Sequence, residues 1–172
     1  ANFEEGFIGT SLRKDQYLFD CSDIDDIITF QRDGTMKVVK VEGKTFIGKN
    51  IEHVAVWKKN DKRTVYNMIY REGKEGPYYM KRFSVTGVTR NTDYKLASDT
   101  KGSEMLYFSA NPNGEAEVVT VLLKANQRIR KNKIEIDFSE IGIKGRDSKG
   151  NLVTKYAVKK IDLKEEGHST LA

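Results

Sequence analysis

The sequence predicts an all-β protein: a propeller-like array of about four antiparallel blades of roughly forty residues each. Three observations predict it. No window of about eleven residues carries the i, i+3, i+4, i+7 apolar stripe of an amphipathic helix. Short runs rich in β-branched and aromatic residues recur between turn residues, which is how strands are punctuated. The hairpin pattern also repeats. Phe30, Tyr70, Phe108 and Phe138 end the first strand of each unit, and Val41, Val85, Val121 and Ile161 end the second. A glycine-containing turn lies between the two markers every time.

Taken along the chain, the blades span residues 7–57, 58–97, 98–126 and 127–164, in a single domain or a fragment of one, with 165–172 as a flexible tail. In the first blade, Ile27-Ile28-Thr29-Phe30 is an apolar run of the kind buried strands show, and Asp33-Gly34 turns it into Met36-Lys37-Val38-Val39. Lys44-Thr45-Phe46-Ile47 and His53-Val54-Ala55-Val56-Trp57 are its further strands. In the second, Gly73-Lys74-Glu75-Gly76-Pro77 is a hairpin loop, and Val85-Thr86-Gly87-Val88 and Tyr94-Lys95-Leu96 are strand candidates. In the third, Asn111-Pro112-Asn113-Gly114 separates Met105-Leu106-Tyr107-Phe108 from Val118-Val119. In the fourth, Ile134-Glu135-Ile136-Asp137-Phe138 alternates strictly, giving one apolar and one wet face. Lys149-Gly150-Asn151 then turns the chain toward Leu152-Val153. The aromatic markers and Trp57 are expected in blade cores, because base-stacking platforms would have to be exposed.

Composition narrows the function classes. Of 172 residues, 38% are hydrophobic, 32% charged and 10% aromatic, which suits a globular chain with a core rather than a disordered one. No apolar run is long enough to span a bilayer, and the first residues lack a secretory signal. Ala1 stands in place of an initiator Met and a strand-like segment follows almost at once, so the chain reads as cut from something longer, a pattern that processing would also give. Cys21 is the only cysteine, so an internal disulfide is ruled out. With His53 and His168 it makes no metal-ligand set, and catalytic and metal residues are expected to be none. The pairs Asp25-Asp26 and Glu4-Glu5 point to opposite strand faces, and no phosphate-cradling glycine loop is present. The net charge is +5, and its distribution is uneven. Leu122 to Lys164 holds twelve Lys or Arg against five Asp or Glu, whereas residues 1–121 hold eighteen of each. An excess of that kind on one stretch fits an anionic partner.

The blade-like units resemble those of the β-pinwheel that ends the A subunits of bacterial gyrase and topoisomerase IV. Ile141-Gly142-Ile143-Lys144-Gly145-Arg146-Asp147-Ser148-Lys149-Gly150-Asn151-Leu152-Val153 is similar to the family's blade motif, in which Gly-Arg is followed by basic-Gly and an aliphatic strand. Asp25 through Gly34 and Ser103 through Phe108 resemble the opening strands of other blades, and the resemblance covers most of residues 7–163. The sequence lacks the Gln-Arg-Arg-Gly-Gly-Arg-Gly box of gyrase A subunits, and Lys144 through Gly150 is a degenerate version at best, which favours a topoisomerase IV-like protein. The resemblance implies a bacterial, cytoplasmic, nucleoid-associated protein. Its partners would be double-stranded DNA, the ATPase B subunit of the parent enzyme, and the rest of its own A subunit, with no membrane. This domain would need no cofactor, ATP and magnesium serving other domains of the parent type II topoisomerase. Nothing here resembles the family's strand-cleaving tyrosine region, which lies upstream.

Binding duplex DNA by its backbone needs cations spaced along an edge, to neutralise phosphates and release counterions, and it needs no base code. The candidate DNA-binding residues are Lys144, Arg146 and Lys149 beside glycines that let a backbone approach, Lys155, Lys159 and Lys160 after them, and Arg128, Arg130, Lys131 and Lys133 before the alternating strand. An alternative keeps the propeller-like fold but makes it a protein–protein interaction module whose basicity only solubilises it.

Overall fold

The computed structural model describes residues 1–11, 17–22, 24–125 and 131–169. It is all-β: the described residues contain no α-helix, and their strands fall into four sheets. Pairing is antiparallel with one exception, noted below. The all-β, multi-sheet class expected from the sequence is the one observed.

One wiring pattern is used three times. A hairpin of two strands is followed by a short segment and then by a return strand that pairs back on the first strand of the hairpin. In the first sheet the hairpin is β2 (Asp26–Gln31) and β3 (Thr35–Lys40), and β5 (Ile51–Trp57) returns onto β2. In the second it is β6 (Val65–Arg71) and β7 (Tyr78–Ser84), with β9 (Glu104–Asn111) on β6. In the third it is β10 (Glu115–Leu123) and β11 (Lys133–Asp137), with β14 (Val158–Ser169) on β10. The short segments cross to the sheet before. β4 (Thr45–Phe46) pairs with β1 (Phe7–Ile8) in a two-stranded ribbon, and β8 (Tyr94–Lys95) pairs with β3. β12 (Ile143–Gly145) and β13 (Asn151–Thr154) both pair with β7, the former in parallel. Each hairpin edge so covered is no longer open to another chain.

The sheets stack in series. Alternation along β2 sends Ile27 to a core shared with the ribbon and Ile28 and Phe30 to a core shared with the second sheet. On β6, Tyr66, Met68 and Tyr70 face the first sheet and Ile69 faces the third. With neighbours on both sides and packing on both faces, β6 is buried from Val65 to Tyr70 and reads as a near-continuous apolar run. The Phe30 ring lies 4.6 Å from Phe108 and 4.9 Å from Tyr66, joining the two sheets. Trp57 is buried and its Nε1–H donates to Val85 O at 2.9 Å.

Two of the four expected hairpins form, at Asp33-Gly34 and at Gly73 through Pro77. The other two marker pairs do not make hairpins. Phe108 and Val121 belong to different sheets, and the turn at Asn111–Gly114, closed by Gly114 N–H to Asn111 O at 3.1 Å, carries the chain between them. The buried Asn111 amide donates to Val65 O at 3.1 Å, which holds the end of β9 in the second sheet. Both edges of β10 are already taken by β11 and β14. Phe138 sits in a 3-10 turn, Phe138–Glu140, after β11, and Ile161 is on β14, with β10 between them. Val85-Thr86-Gly87-Val88 is not a strand. Residues 165–169, expected in a flexible tail, continue β14: His168 pairs with Ala116 and Ser169 with Glu115.

Candidate nucleic-acid interface

The Gly145–Gly150 loop is set by its two flanking strands. β12 runs parallel to β7 with Lys144 opposite Phe83, while β13 runs antiparallel with Asn151 opposite Met80. The chain must therefore reverse along one edge within a few residues. Ser148 N–H bonds Gly145 O at 3.1 Å to make the turn. Gly150 completes it at φ +90°, where an added Cβ would lie 2.3 Å from Met80 O. Beneath the loop, the buried Lys81 ammonium donates to Leu96 O at 2.5 Å, Arg146 O at 2.8 Å and Ser148 O at 2.9 Å. It also lies 5.2 Å from the Phe83 ring centroid. Burial pulls its pKa down to about 8, against an opposing pull from Asp147. The Tyr70 hydroxyl donates to Lys149 O at 2.6 Å.

Of the loop's side chains, Asp147 and Lys149 are exposed, Arg146 is half-buried, and the Ser148 hydroxyl is turned inward. The Arg146 guanidinium stacks 4.3 Å over the Tyr94 ring on β8, so the loop spans the edges of the first and second sheets. The Tyr94 hydroxyl oxygen accepts from Thr89 N–H at 2.8 Å, and this bond, ahead of the Arg146 charge, draws its pKa below the usual tyrosine value. Lys149 Nζ lies 4.9 Å over Tyr79 and 3.9 Å from Glu72. The Tyr79 hydroxyl first, and then Glu72, raise its pKa above the ordinary lysine range. Lys144 is exposed on β12.

A second group of cations gathers at one end of the third sheet. Lys133 and Lys160 both pair with Leu122, so they share one face of the sheet about 10 Å apart across two strand spacings. Lys159 falls in the register shift between Leu122 and Leu123. Leu123 N–H to Asn132 O (2.8 Å) and Lys124 N–H to Ala157 O (2.9 Å) close this end. Lys131 and Lys155 are exposed beside it. The next rungs change sign: Thr120 is flanked by Glu135 and Asp162, and Val118 by Asp137 and Glu165. The positive end is thus local rather than spread over the face. β13 joins the two groups, and its four residues span about 13 Å.

Eight of the ten residues singled out from sequence fall in these two groups. Arg128 and Arg130 lie outside the described residues. Among the described residues, Lys131, Lys133, Lys144, Arg146, Lys155 and Lys159 have no carboxylate within ion-pair reach. Lys149 and Lys160 do, the latter with Asp162 at 3.3 Å. Lys124, exposed beside Ala157, belongs with the second group and was not singled out. The signal for it was the stretch Leu122–Ile134, which contains no Asp or Glu. His53 packs its ring 5.6 Å from Phe108 and burial lowers its pKa. Among the described residues, no three His, Cys, Asp or Glu are grouped to hold a metal, and no helix is long and apolar enough to cross a membrane.

Comparison with known proteins adds two findings. A family model described as a topoisomerase C-terminal domain of Bacteroidota matches residues 1–166. The chain is 30% identical over 164 residues to the A subunit of DNA topoisomerase 4 from Borreliella burgdorferi. The match takes in 95% of this chain and 24% of that protein, so the chain spans about a quarter of the length of the relative.

Proposed function

Because the chain belongs to the topoisomerase C-terminal domain family of Bacteroidota, we propose that it binds and wraps duplex DNA through backbone phosphates and presents it to the cleavage core of a type IIA topoisomerase. The observation that carries this reading is the gathering, at two places, of cations that have no carboxylate partner among the described residues: exposed Lys144 and half-buried Arg146 at the edge of the second sheet, and exposed Lys131, Lys133, Lys155 and Lys159 at the end of the third. An unpaired surface cation brings its full charge to a phosphate, whereas one already held by a carboxylate must first give up that contact. Lys149 sits between the cases, since its 3.9 Å contact with Glu72 is long. The Arg146 guanidinium lies over the Tyr94 ring, and a guanidinium held in that way still has N–H groups to give to a phosphate.

The chain then acts as a non-catalytic arm. Its partners would be duplex DNA, the ATPase B subunit of the parent enzyme, and the rest of its own A subunit, in the bacterial cytoplasm at the nucleoid. ATP and magnesium would serve the other domains. Duplex binding measured by fluorescence anisotropy at several salt concentrations tests this. The expected log K against log salt slope corresponds to several phosphates, and it should fall by about two when Arg146→Glu and Lys149→Glu are combined. A shallow slope that those changes do not move would favour a protein-interaction module.

A further inference from the structure

We infer that Lys81 is a positioning residue for DNA binding: its buried ammonium latches the Gly145–Gly150 loop across the edges of two sheets, so that Arg146 and Lys149 are held where phosphates pass. This rests on the DNA-binding reading proposed above. Lys81 is on β7 of the second sheet, 2% exposed, and its three acceptors come from two other segments. Leu96 follows β8 at the edge of the first sheet, while Arg146 and Ser148 belong to the loop. One ammonium, with three N–H bonds to give, therefore ties three stretches of chain together at a single point. The acceptors are main-chain oxygens, so the tie fixes the loop's path and leaves its side chains free. Tyr70 adds a second tie at Lys149 O, and Arg146 covers the seam by stacking on Tyr94. A cation held inside the sheet also adds positive potential directly beneath the two outward ones.

Lys81→Met keeps a stem of similar length and removes every donor. In the whole protein, this variant should speed amide exchange across residues 145–150. It should also weaken duplex binding on the order of tenfold, as an over-determined loop is released from its hydrogen bonds. The salt slope should fall toward that of the Arg146→Glu, Lys149→Glu protein. Adding Lys81→Met to that double variant should then cost little more, because the latch acts through the two side chains it presents. Tyr70→Phe removes only the hydroxyl tie and should act in the same direction more weakly. It carries the test if Lys81→Met fails to fold. A folded variant that frees the loop but binds duplex with wild-type affinity and slope would overturn the inference. So would unchanged exchange across the loop. If instead the Arg146→Glu, Lys149→Glu protein binds as wild type does, the DNA-binding reading fails at this loop and the positioning role of Lys81 falls with it.

Discussion

At the scale of single residues, charge placement on this molecule is decided by burial and hydrogen bonding more than by composition. Lys81 and Lys149 have pKa values displaced in opposite directions, the first by burial and the second by Tyr79 and Glu72. For Lys81 the displacement has a consequence for stability. Its folded-state value of about 8 lies below the ordinary 10.5, so between those values the unfolded chain holds the proton that the folded chain has released. Stability contributed by this residue therefore rises with pH across that window, and is least below pH 8. Relative to Lys81→Met, the wild-type protein should gain roughly 2 kcal/mol between pH 8 and 10, read by urea denaturation at each pH. Tyr66, Tyr70 and Tyr107, whose hydroxyls burial pushes up, act oppositely once pH exceeds 10. The cations of the two groups were legible in the sequence because residues 122–164 hold twelve Lys or Arg against five Asp or Glu and three of those cations flank glycines. Lys81 was not. Its neighbours Tyr78, Tyr79, Met80 and Arg82 read as an ordinary strand, and its acceptors are supplied from residues 96, 146 and 148.

At the scale of elements, local turn chemistry was readable and strand partnership was not. Asp33-Gly34 and the Gly73–Pro77 loop each join two strands that do pair, and glycine at positive φ is what such turns need. The Asn111–Gly114 turn has the same chemistry and joins strands of different sheets. The difference lies in the return strands: β14 occupies the edge of β10 that β9 would otherwise have taken, and it begins more than thirty residues beyond β10. No short-range pattern encodes that choice. Two glycines of the Ile141–Val153 stretch differ in what holds them. Gly150 is at φ +90° with Met80 O in the place of a Cβ, whereas nothing lies within 4 Å of the Cβ position at Gly142. Gly150→Ala should destabilise the protein by about 1–3 kcal/mol, and Gly142→Ala should stay within about 0.5 kcal/mol of wild type, in chemical denaturation.

At the scale of the whole molecule, three repeats of one wiring pattern place sheets in series, and each repeat lends a short segment to the sheet before it. That lending puts the Gly145–Gly150 loop, which is part of the third repeat by sequence, on the edge of the second sheet and against β8 of the first. Residues far apart in the chain thus come to one seam, while the acidic rungs of the third sheet limit the positive region to its Leu122 end. The uneven charge of residues 122–164 was plain from sequence, but its division into a loop group and a sheet-end group depended on this pairing. The central claim is that duplex phosphates follow these two groups, so placement and not net charge should govern binding. Two triple variants with the same change in net charge separate the possibilities. One replaces Lys133, Arg146 and Lys159 with Glu; the other replaces Lys40, Lys44 and Lys49, exposed at the ribbon end of the stack. Duplex affinity measured against salt should lose about three from its slope in the first protein and hold close to wild type in the second. Equal losses in both, or none in either, would contradict the claim.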